Sequence, residues 1–530
     1  MKRVVVLASF VTIAATGVLV VAQQNSIVPQ PRAEALPAPG TGSPKVSRTV
    51  PKPEGVMPTV PAGFTVTTYA EMPTPRMMAY APNGDLFVSS PASNTIVVLR
   101  DANDDGRFET CSVFAAGPAP GAGRGGRGAA PTPPPATPPG CPGPLTNPNT
   151  PPPAPPPAAA AAPAGPPPAV PQRQGGPAPG GAAPPPAGQA PGAAPGGGGQ
   201  RAGGPPPGGF GGGAPGGGRG GPQVVGANAP PCAPPPNFVE KGPGEISAPF
   251  GIAFNSGYLY VGNTASLVRY RYSNGDLKAQ GEPEKLMNLP AGGHSTRNIL
   301  FNRQGSKMYV AVGSQSNNDA GEDCRRAAIL EFNPDGSGYR IYASGIRNPV
   351  GLALQPGTDI IWTAMNERDN YGDDLVPDYA TSVKDGGFYG WPYSYIGSNY
   401  DPRYVGAFPD QVKKALVPDV LLPAHAAALG ITFYTGNQFP QRYRNGAFVA
   451  LHGSWNRSVA SGYKVVFFPM NNGKPGPIED FLSGFLAQTG ANGTPIETWG
   501  RPVGVLVARD GSLLVSDDAS NRIWKISARR

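Results

Sequence analysis

Histidine and cysteine are scarce in this chain of 530 residues, with three of the first and four of the second. No Cys-x-x-Cys-His string occurs, which excludes a covalently attached haem. Neither Cys-x-x-Cys nor His-Glu-x-x-His is present, so the common zinc patterns are excluded as well. Charge is sparse, at 14% of residues. Past the first two dozen positions there is no long apolar run, so no further membrane-spanning helix is expected. The formal charge of +8 would suit a polyanion, but it is unevenly placed. Lys2 and Arg3, with five arginines and no acid between 117 and 236, account for all but one of these charges. The remainder is near neutral and has no field to steer DNA or RNA, so no nucleic-acid partner is expected.

What is abundant is glycine and proline, 75 and 71 residues. Residues 117–236 are almost wholly Gly, Pro and Ala. Such a segment offers too little apolar side-chain area to offset its ordering entropy, and it is expected to be disordered with local polyproline character. The chain opens with Lys2 and Arg3, an apolar stretch, and Val20-Val21-Ala22. Residues 1–22 therefore read as a secretory signal peptide, leaving no integral membrane segment after cleavage and a periplasmic or secreted product. Residues 23–60 read as a linker. An exported chain tolerates disulfides among Cys111, Cys141, Cys232 and Cys324. Pairing Cys111 with Cys232 would staple the ends of the insert, and all three pairings stay open.

The rest of the chain, 61–116 and 237–530, repeats one pattern six times. RMMAYAPNGDLFVS begins at Arg76, PFGIAFNSGYLYVG at Pro249 and RNILFNRQGSKMYVAVG at Arg297. PVGLALQPGTDIIWTA follows from Pro349, LGITFYTGNQFPQRYRNGAFVALHG from Leu429 and PVGVLVARDGSLLVSD from Pro502. Each copy reads as two antiparallel strands around a turn, with alternating apolar residues on one face and Gly or Asn-Gly at the turn. Six copies at blade-like spacing predict an all-β, six-bladed β-propeller interrupted by the long insert. The last segment, SNRIWKISARR, is expected to pair with N-terminal strands and remove the open edge.

Chemistry-bearing residues fall next to the repeated strands. His294 in GGHSTRN, Arg347 and Asn348 in GIRNPVG, and Arg501 in WGRPVG precede strands, while His452 and Arg457 in HGSWNRS follow one. Radial sheets would bring these loops to one mouth. Arginines around a histidine there suit a small polyanion plus a proton-accepting base.

The strings GHSTRNILF, GIRNPVGLA, NERDNYGDDLVPDY, GGFYGWPYSY, HGSWNRSVASGYKVV and WGRPVGV together carry a resemblance. The chain resembles the glucose/sorbosone dehydrogenases, which are soluble sugar dehydrogenases dependent on pyrroloquinoline quinone. Within them it is most similar to the sorbosone branch. The resemblance implies an exported quinoprotein oxidising a sugar or sugar-derived aldehyde by hydride transfer, with Ca²⁺ beside the quinone and an external electron acceptor, a quinone or cytochrome c. It implies that His294 is the base and that Arg347 and Asn348 contact the quinone and its reacting oxygen. Arg501 is implied as a carboxylate-binding arginine, and Arg457 lies near a cofactor lysine. The loop 366–374, with Asp369 and Asp373, matches the calcium-binding segment. Two positions depart from the family. Ser314 stands where an acid orients the base, and Val503 stands where a second cofactor arginine is found. The loop 366–374 also lacks the Gly-Pro of many relatives.

Asp101, Asn103 and Asp105, followed by Gly106, form the first half of a calcium-loop pattern, an expectation that competes with a plain Asx-rich turn. Trp391 and Tyr389 are candidates to stack on a cofactor or sugar ring, with loop packing the equal alternative. His425, in PAHAAALG, precedes the fifth repeat and is a third candidate for the mouth. A histidine base is expected to titrate near neutrality unless a neighbour shifts it. Two rival functions stand beside the dehydrogenase. A propeller sugar lactonase would need carboxylates converging on a metal. A carbohydrate- or protein-binding propeller would show no redox turnover.

Overall fold

The computed structural model describes residues 30–103, 105–118 and 241–529. The signal peptide, the insert beyond Pro118, Cys141 and Cys232 lie outside these residues. The described residues are all-β, with a single short α-helix among them, Pro409–Lys414. No helix among them is long and apolar enough to cross a membrane.

Six four-stranded antiparallel sheets follow one another along the chain. Sheet I comprises Met78–Tyr80, Leu86–Ser90, Thr95–Arg100 and Thr110–Ala116. Sheet II comprises Gly251–Asn255, Tyr258–Gly262, Ser266–Arg271 and Glu284–Asn288, with Gly242–Pro243 added at its edge. Sheet III holds Ile299–Phe301, Met308–Val312, Ala328–Phe332 and Arg340–Ser344. Sheet IV holds Asn348–Leu354, Ile361–Asn366, Pro377–Ser382 and Val420–Ala424. Sheet V consists of Ala428–Phe433, Ala447–Leu451, Lys464–Phe468 and Glu479–Leu482. Sheet VI consists of Pro502–Val507, Leu513–Asp517 and Arg522–Ala528, completed by Phe64–Glu71 from the other end of the chain. Phe64 pairs with Ala528 and Glu71 with Arg522, so the final strand does meet an N-terminal one.

The first two strands of each sheet are the six repeats read from the sequence. Their recurrent glycine has a steric cause. A Cβ on Gly351 would meet Leu429 O at 2.3 Å, one on Gly430 would meet Val503 O at 2.5 Å, and one on Gly504 would meet Arg76 O at 2.5 Å. In sheets IV, V and VI the first strand therefore approaches the neighbouring sheet's backbone too closely for a side chain at that position. Alternating apolar residues fill the layers between consecutive sheets. Phe87, Ile96, Phe114, Leu259 and Tyr270 lie between I and II. Phe64, Tyr443, Phe448, Val515 and Trp524 lie between V and VI. Met78, Leu86, Val88, Leu514 and Ile523 join VI back to I.

Antiparallel pairing puts the residues before each first strand and after each second strand at one end of the sheets. At this end Asn94 donates to Pro118 O at 2.8 Å and to Ile246 O at 3.3 Å, joining the segments on either side of the insert. Just below this end, Phe250, Val350, Leu429 and Val503, from sheets II, IV, V and VI, form a small apolar cluster with Met77 packed against it. Cys111 and Cys324 are both disulfide-bonded.

Residues 30–60, read from sequence as linker, are held along the surface by hydrogen bonds. Arg48–Thr49 pairs with Ile496–Thr498, and Thr59 bridges Ser483. Proline-rich composition excludes a helix there, but an extended strap can still pair its backbone.

Candidate functional site

His294 lies in the loop 289–298 between sheets II and III. Its backbone N–H donates to Ser314 O at 3.0 Å. Its Nδ1 lies 2.9 Å from Ser314 O and 3.1 Å from Ser314 Oγ. A carbonyl only accepts, so Nδ1 carries the proton and Nε2 keeps its lone pair. Ser314 thus does what an orienting acid would do, but through its backbone. Its hydroxyl donates elsewhere, to Ser316 O at 2.6 Å. Burial, reinforced by the nearby Arg347 charge, pushes the His294 pKa down to about 3. The ring is neutral at any ordinary pH, and the expectation of a titration near neutrality is corrected accordingly.

Two buried arginines hold this loop by its carbonyls. Arg297 donates to His294 O at 2.6 Å, Thr296 O at 2.7 Å and Pro290 O at 2.7 Å. Arg326 donates to Ala291 O at 2.6 Å, Gly292 O at 3.0 Å and Gly313 O at 3.2 Å. Burial, with Arg326 nearby, brings the Arg297 pKa down to about 9. Sequence reading missed both residues, although Arg297 stands inside the GHSTRN string.

Arg347 and Asn348 open sheet IV one sheet further on. All five N–H groups of Arg347 find acceptors. They are Asn317 O at 2.9 Å, Glu367 O at 2.6 Å, Asn366 O at 3.4 Å, Asn317 Oδ1 at 2.9 Å and Asp369 Oδ2 at 3.4 Å. Asn317 is a hub that went unrecognised in SQSNND. It also accepts the Trp391 indole N–H at 2.9 Å and the Asp369 N–H at 2.9 Å. Trp391 is accordingly a buried support for Asn317. Asn348 donates to Asn366 Oδ1 at 3.2 Å, while its own Oδ1 is buried with no partner. A Cβ placed on Gly313 would meet Asn348 Oδ1 at 2.3 Å and His294 Cβ at 2.6 Å. The histidine and the unpartnered amide oxygen therefore converge over one glycine.

His425 sits between two acceptors, with Nδ1 3.2 Å from Asp369 Oδ1 and Nε2 2.9 Å from Gly372 O. Both nitrogens must donate, which matches its raised pKa: burial opposes the charge, but the Asp369 hydrogen bond outweighs it. A doubly protonated imidazole is no base, so His425 drops out as an alternative to His294. Burial alone would raise the Asp369 carboxyl, yet His425 and Arg347 hold it below its ordinary value. Asp378, buried behind them, is pushed up to about 7 by burial.

Sheets V, VI and I supply the opposite side. His452 Nε2 lies 2.9 Å from Asp518 Oδ1, and Arg76 pairs with Asp518 at 2.6 Å. Burial, then the Arg501 charge, pushes the His452 pKa down to about 4. Arg501 donates through Nε to His452 O at 3.1 Å and through Nη2 to Gly453 O at 2.9 Å. Its Nη1 meets no protein acceptor among the described residues. Arg457 bonds Asp373 O at 2.5 Å and Asp374 at 2.8 Å. The Asp373 carboxylate receives the Ser458 N–H at 3.1 Å and the Ser458 hydroxyl. In this arrangement Asp369 serves Arg347 and His425 while Asp373 serves Ser458. Val503, at the second-arginine position, belongs to the apolar cluster beneath the site.

Asp101, Asn103 and Asp105 stand apart, in the turn between the third and fourth strands of sheet I. That turn is at the other end of the sheet. Glu109, missed from sequence, joins Asp101 and Asp105 so that one carboxylate oxygen from each lies within 4.8 Å of the others. This is the one such His, Cys, Asp or Glu group among the described residues.

Residues 260–455 match the model of the glucose/sorbosone dehydrogenase family, and residues 408–529 match the TrAA12-like model. The resemblance read from the sequence strings is thus met by the family model over the stretch that holds His294, Arg347 and Asn348. An uncharacterised protein of Borreliella burgdorferi is 34% identical, over 44% of this chain and 60% of its own length. The aldose sugar dehydrogenase YliI of Escherichia coli is 24% identical, over 30% and 45%. A pyrroloquinoline quinone-dependent pyranose dehydrogenase of Coprinopsis cinerea is 27% identical, over 44% and 39%. The chain spans less than two thirds of each. Two solved structures are among those that share the fold. One is a Trichoderma reesei protein of carbohydrate-active enzyme family AA12, with a TM-score of 0.55 and 15% identity over 89% of this chain and 98% of that one. The other is the quinone domain of the Coprinopsis pyranose dehydrogenase, with a TM-score of 0.54 and 17% identity over 91% and 100%.

Proposed function

We propose that this chain is an exported quinoprotein dehydrogenase built on a six-bladed propeller. It oxidises a sugar or sugar-derived aldehyde of the aldose or sorbosone kind. One observation carries the reading: a neutral His294, with its Nε2 lone pair open, faces the same glycine as the unpartnered Asn348 Oδ1, inside the stretch that matches the sugar dehydrogenase family. Six sheets in series, each first strand against the next sheet, support the propeller.

The cationic set suits a planar tricarboxylate, with Arg347, whose N–H groups are all bonded within the protein, contributing its charge alone. Arg347, Arg457 and Arg501 bring three permanent positive charges to one end of the sheets. Arg501 Nη1 is available for a carboxylate. Asn348 Oδ1, buried and bare, is an acceptor and calls for a donor, such as a substrate hydroxyl or a water. Bound pyrroloquinoline quinone would supply the hydride acceptor, and Ca²⁺ near Asp369 and Asp373 would polarise it. A second Ca²⁺ would be held by Asp101, Asn103 and Asp105, with Glu109, in a turn whose backbone N–H groups also donate to these side chains. His294 Nε2 takes the proton from the reacting hydroxyl, and Ser314 O keeps the ring in the tautomer that can accept it. Arg347 keeps His294 neutral and is itself fixed by Asn317, with Trp391 behind. The cluster of Phe250, Val350, Leu429 and Val503 floors the site and excludes water from below. Electrons leave to an external quinone or cytochrome c. The arginines Arg347, Arg457 and Arg501 argue against the hydrolase rival, which needs carboxylates and asparagines around a metal rather than a cationic cluster.

The test is a titration of purified apoprotein with pyrroloquinoline quinone, with and without Ca²⁺. Saturable binding and sugar-dependent dye reduction are expected. Absence of either rejects the reading.

A further inference from the structure

The N-terminal segment 40–48 crosses the end of the sheets that carries the candidate site, and it touches two of the site's loops. Gly40 N–H donates to Tyr371 O at 2.8 Å. Gly42 lies so close to the next residue of that loop that a Cβ would stand 2.8 Å from Asn370 Cα and 2.9 Å from its Oδ1. Lys45 N–H then donates to Trp455 O at 2.7 Å, and its ammonium donates to Gly490 O at 2.9 Å and Ser458 O at 3.5 Å. Arg48 ends the crossing on Glu497. The loop 369–374 belongs to sheet IV and the loop 455–458 to sheet V. Between them run the Arg457 bonds to Asp373 O and Asp374 and the Ser458 bonds to the Asp373 carboxylate. The first loop also carries Gly372 O, on which His425 and through it Asp369 and Arg347 depend.

We infer that residues 40–48 are a strap that fixes these two loops in one geometry and so belongs to the ligand-holding apparatus, with Gly42 and Lys45 as positioning residues. This rests on the proposed function only for the identity of the ligand. The physical case is that neither loop has ladder hydrogen bonds of its own. The strap supplies backbone-to-backbone bonds to each, and five prolines between 37 and 53 lower the entropy cost of keeping it extended. A chain that merely led to the first strand would need none of these contacts.

The experiment uses the full chain with Gly42→Val, which drives side-chain atoms into Asn370, and Lys45→Met, which keeps the aliphatic stem but loses both carbonyl contacts. Val46→Ser, at a solvent-facing position of the same strap, is the control. Hydrogen exchange of 369–374 and 455–458 in apoprotein is read first, then pyrroloquinoline quinone affinity in Ca²⁺. Exchange in both loops is expected to rise about tenfold, in line with losing one or two hydrogen bonds. Quinone affinity is expected to fall by a similar factor, with the melting temperature and the Val46→Ser protein unchanged. Unaltered exchange in either loop overturns the strap. Raised exchange with unaltered affinity overturns its part in holding the ligand. A wild-type protein that binds no quinone rejects the proposed function, and exchange alone then decides the strap.

Discussion

At Ser314, where the resemblance implies an acid, the group that orients His294 is the backbone carbonyl. A carbonyl orients the ring without adding charge. The consequence is electrostatic. Burial and the Arg347 charge outweigh the Ser314 hydrogen bond and the Asp369 charge, and they leave the ring with a pKa of about 3. His452, next to Arg501, is held at about 4. Both lie below the value of 6.5 that an unfolded histidine takes. The unfolded chain therefore binds two protons that the folded one refuses as pH falls from 6.5 toward 4, and stability is lost over that window. Asp378 works in the opposite sense: its folded pKa of about 7 gives stability that is full below 3.8 and lost as pH rises through 7. Melting temperatures of wild type and His452→Gln at pH 4.5 and pH 7 check the sign. The variant should lose less on acidification, by up to about 3 kcal/mol, and an unchanged loss contradicts the assignment. The residue types at this site were legible, because His294, Arg347 and Arg501 sit beside strongly patterned strands. Asn317, Arg297 and the carbonyl of Ser314 were not, since they act through backbone atoms or through folds of loop that no spacing announces.

Among the elements, the first two strands of every sheet were the easiest to read. Each repeat pairs period-two apolar residues with a glycine turn, and both signals are local. The repeated glycine of PFG, PVG and ALG carries a further message that spacing alone does not give: it marks where neighbouring sheets touch. Gly351→Ala sets a Cβ against Leu429 O at 2.3 Å and against the Ile431 side chain and backbone at 2.9 Å. Sheet IV must move off sheet V, at a cost of about 1–3 kcal/mol. Urea unfolding should show a lower midpoint at constant slope, and an unchanged midpoint would mean the sheets are more loosely packed than described. The segment 30–60 was misread for an equally physical reason. Proline and small polar residues have the composition of a linker, and only long-range partners such as Tyr371, Trp455 and Ser483 reveal that it is held down.

Across the whole molecule, sheet VI takes three strands from the C-terminal end and one from the N-terminal end, so cooperativity depends on Phe64–Glu71. Phe64 is buried and meets Phe439, Tyr443 and Phe481 edge-on, at centroid distances of 4.8, 5.4 and 5.2 Å. Phe64→Ala should cost about 3–5 kcal/mol and lower one cooperative transition seen alike by fluorescence and circular dichroism. Two separated transitions would show that the closing sheet unfolds alone. The pairing of Phe64–Glu71 with Arg522–Ala528 also ties the N-terminal strand to sheet VI, beside the loops that the proposed chemistry requires.

That chemistry is tested most directly by His294→Gln in protein loaded with pyrroloquinoline quinone and Ca²⁺, followed by stopped-flow absorbance on adding sugar. Quinone affinity should match wild type, because the charges assigned to hold it stand on Arg347, Arg457 and Arg501. The sugar-dependent absorbance change should slow by about a hundredfold or more, the usual contribution of a positioned general base. In wild type its rate should show no titration between pH 6 and 8 that His294→Gln abolishes. A variant that reacts at the wild-type rate would contradict the account and place the base elsewhere.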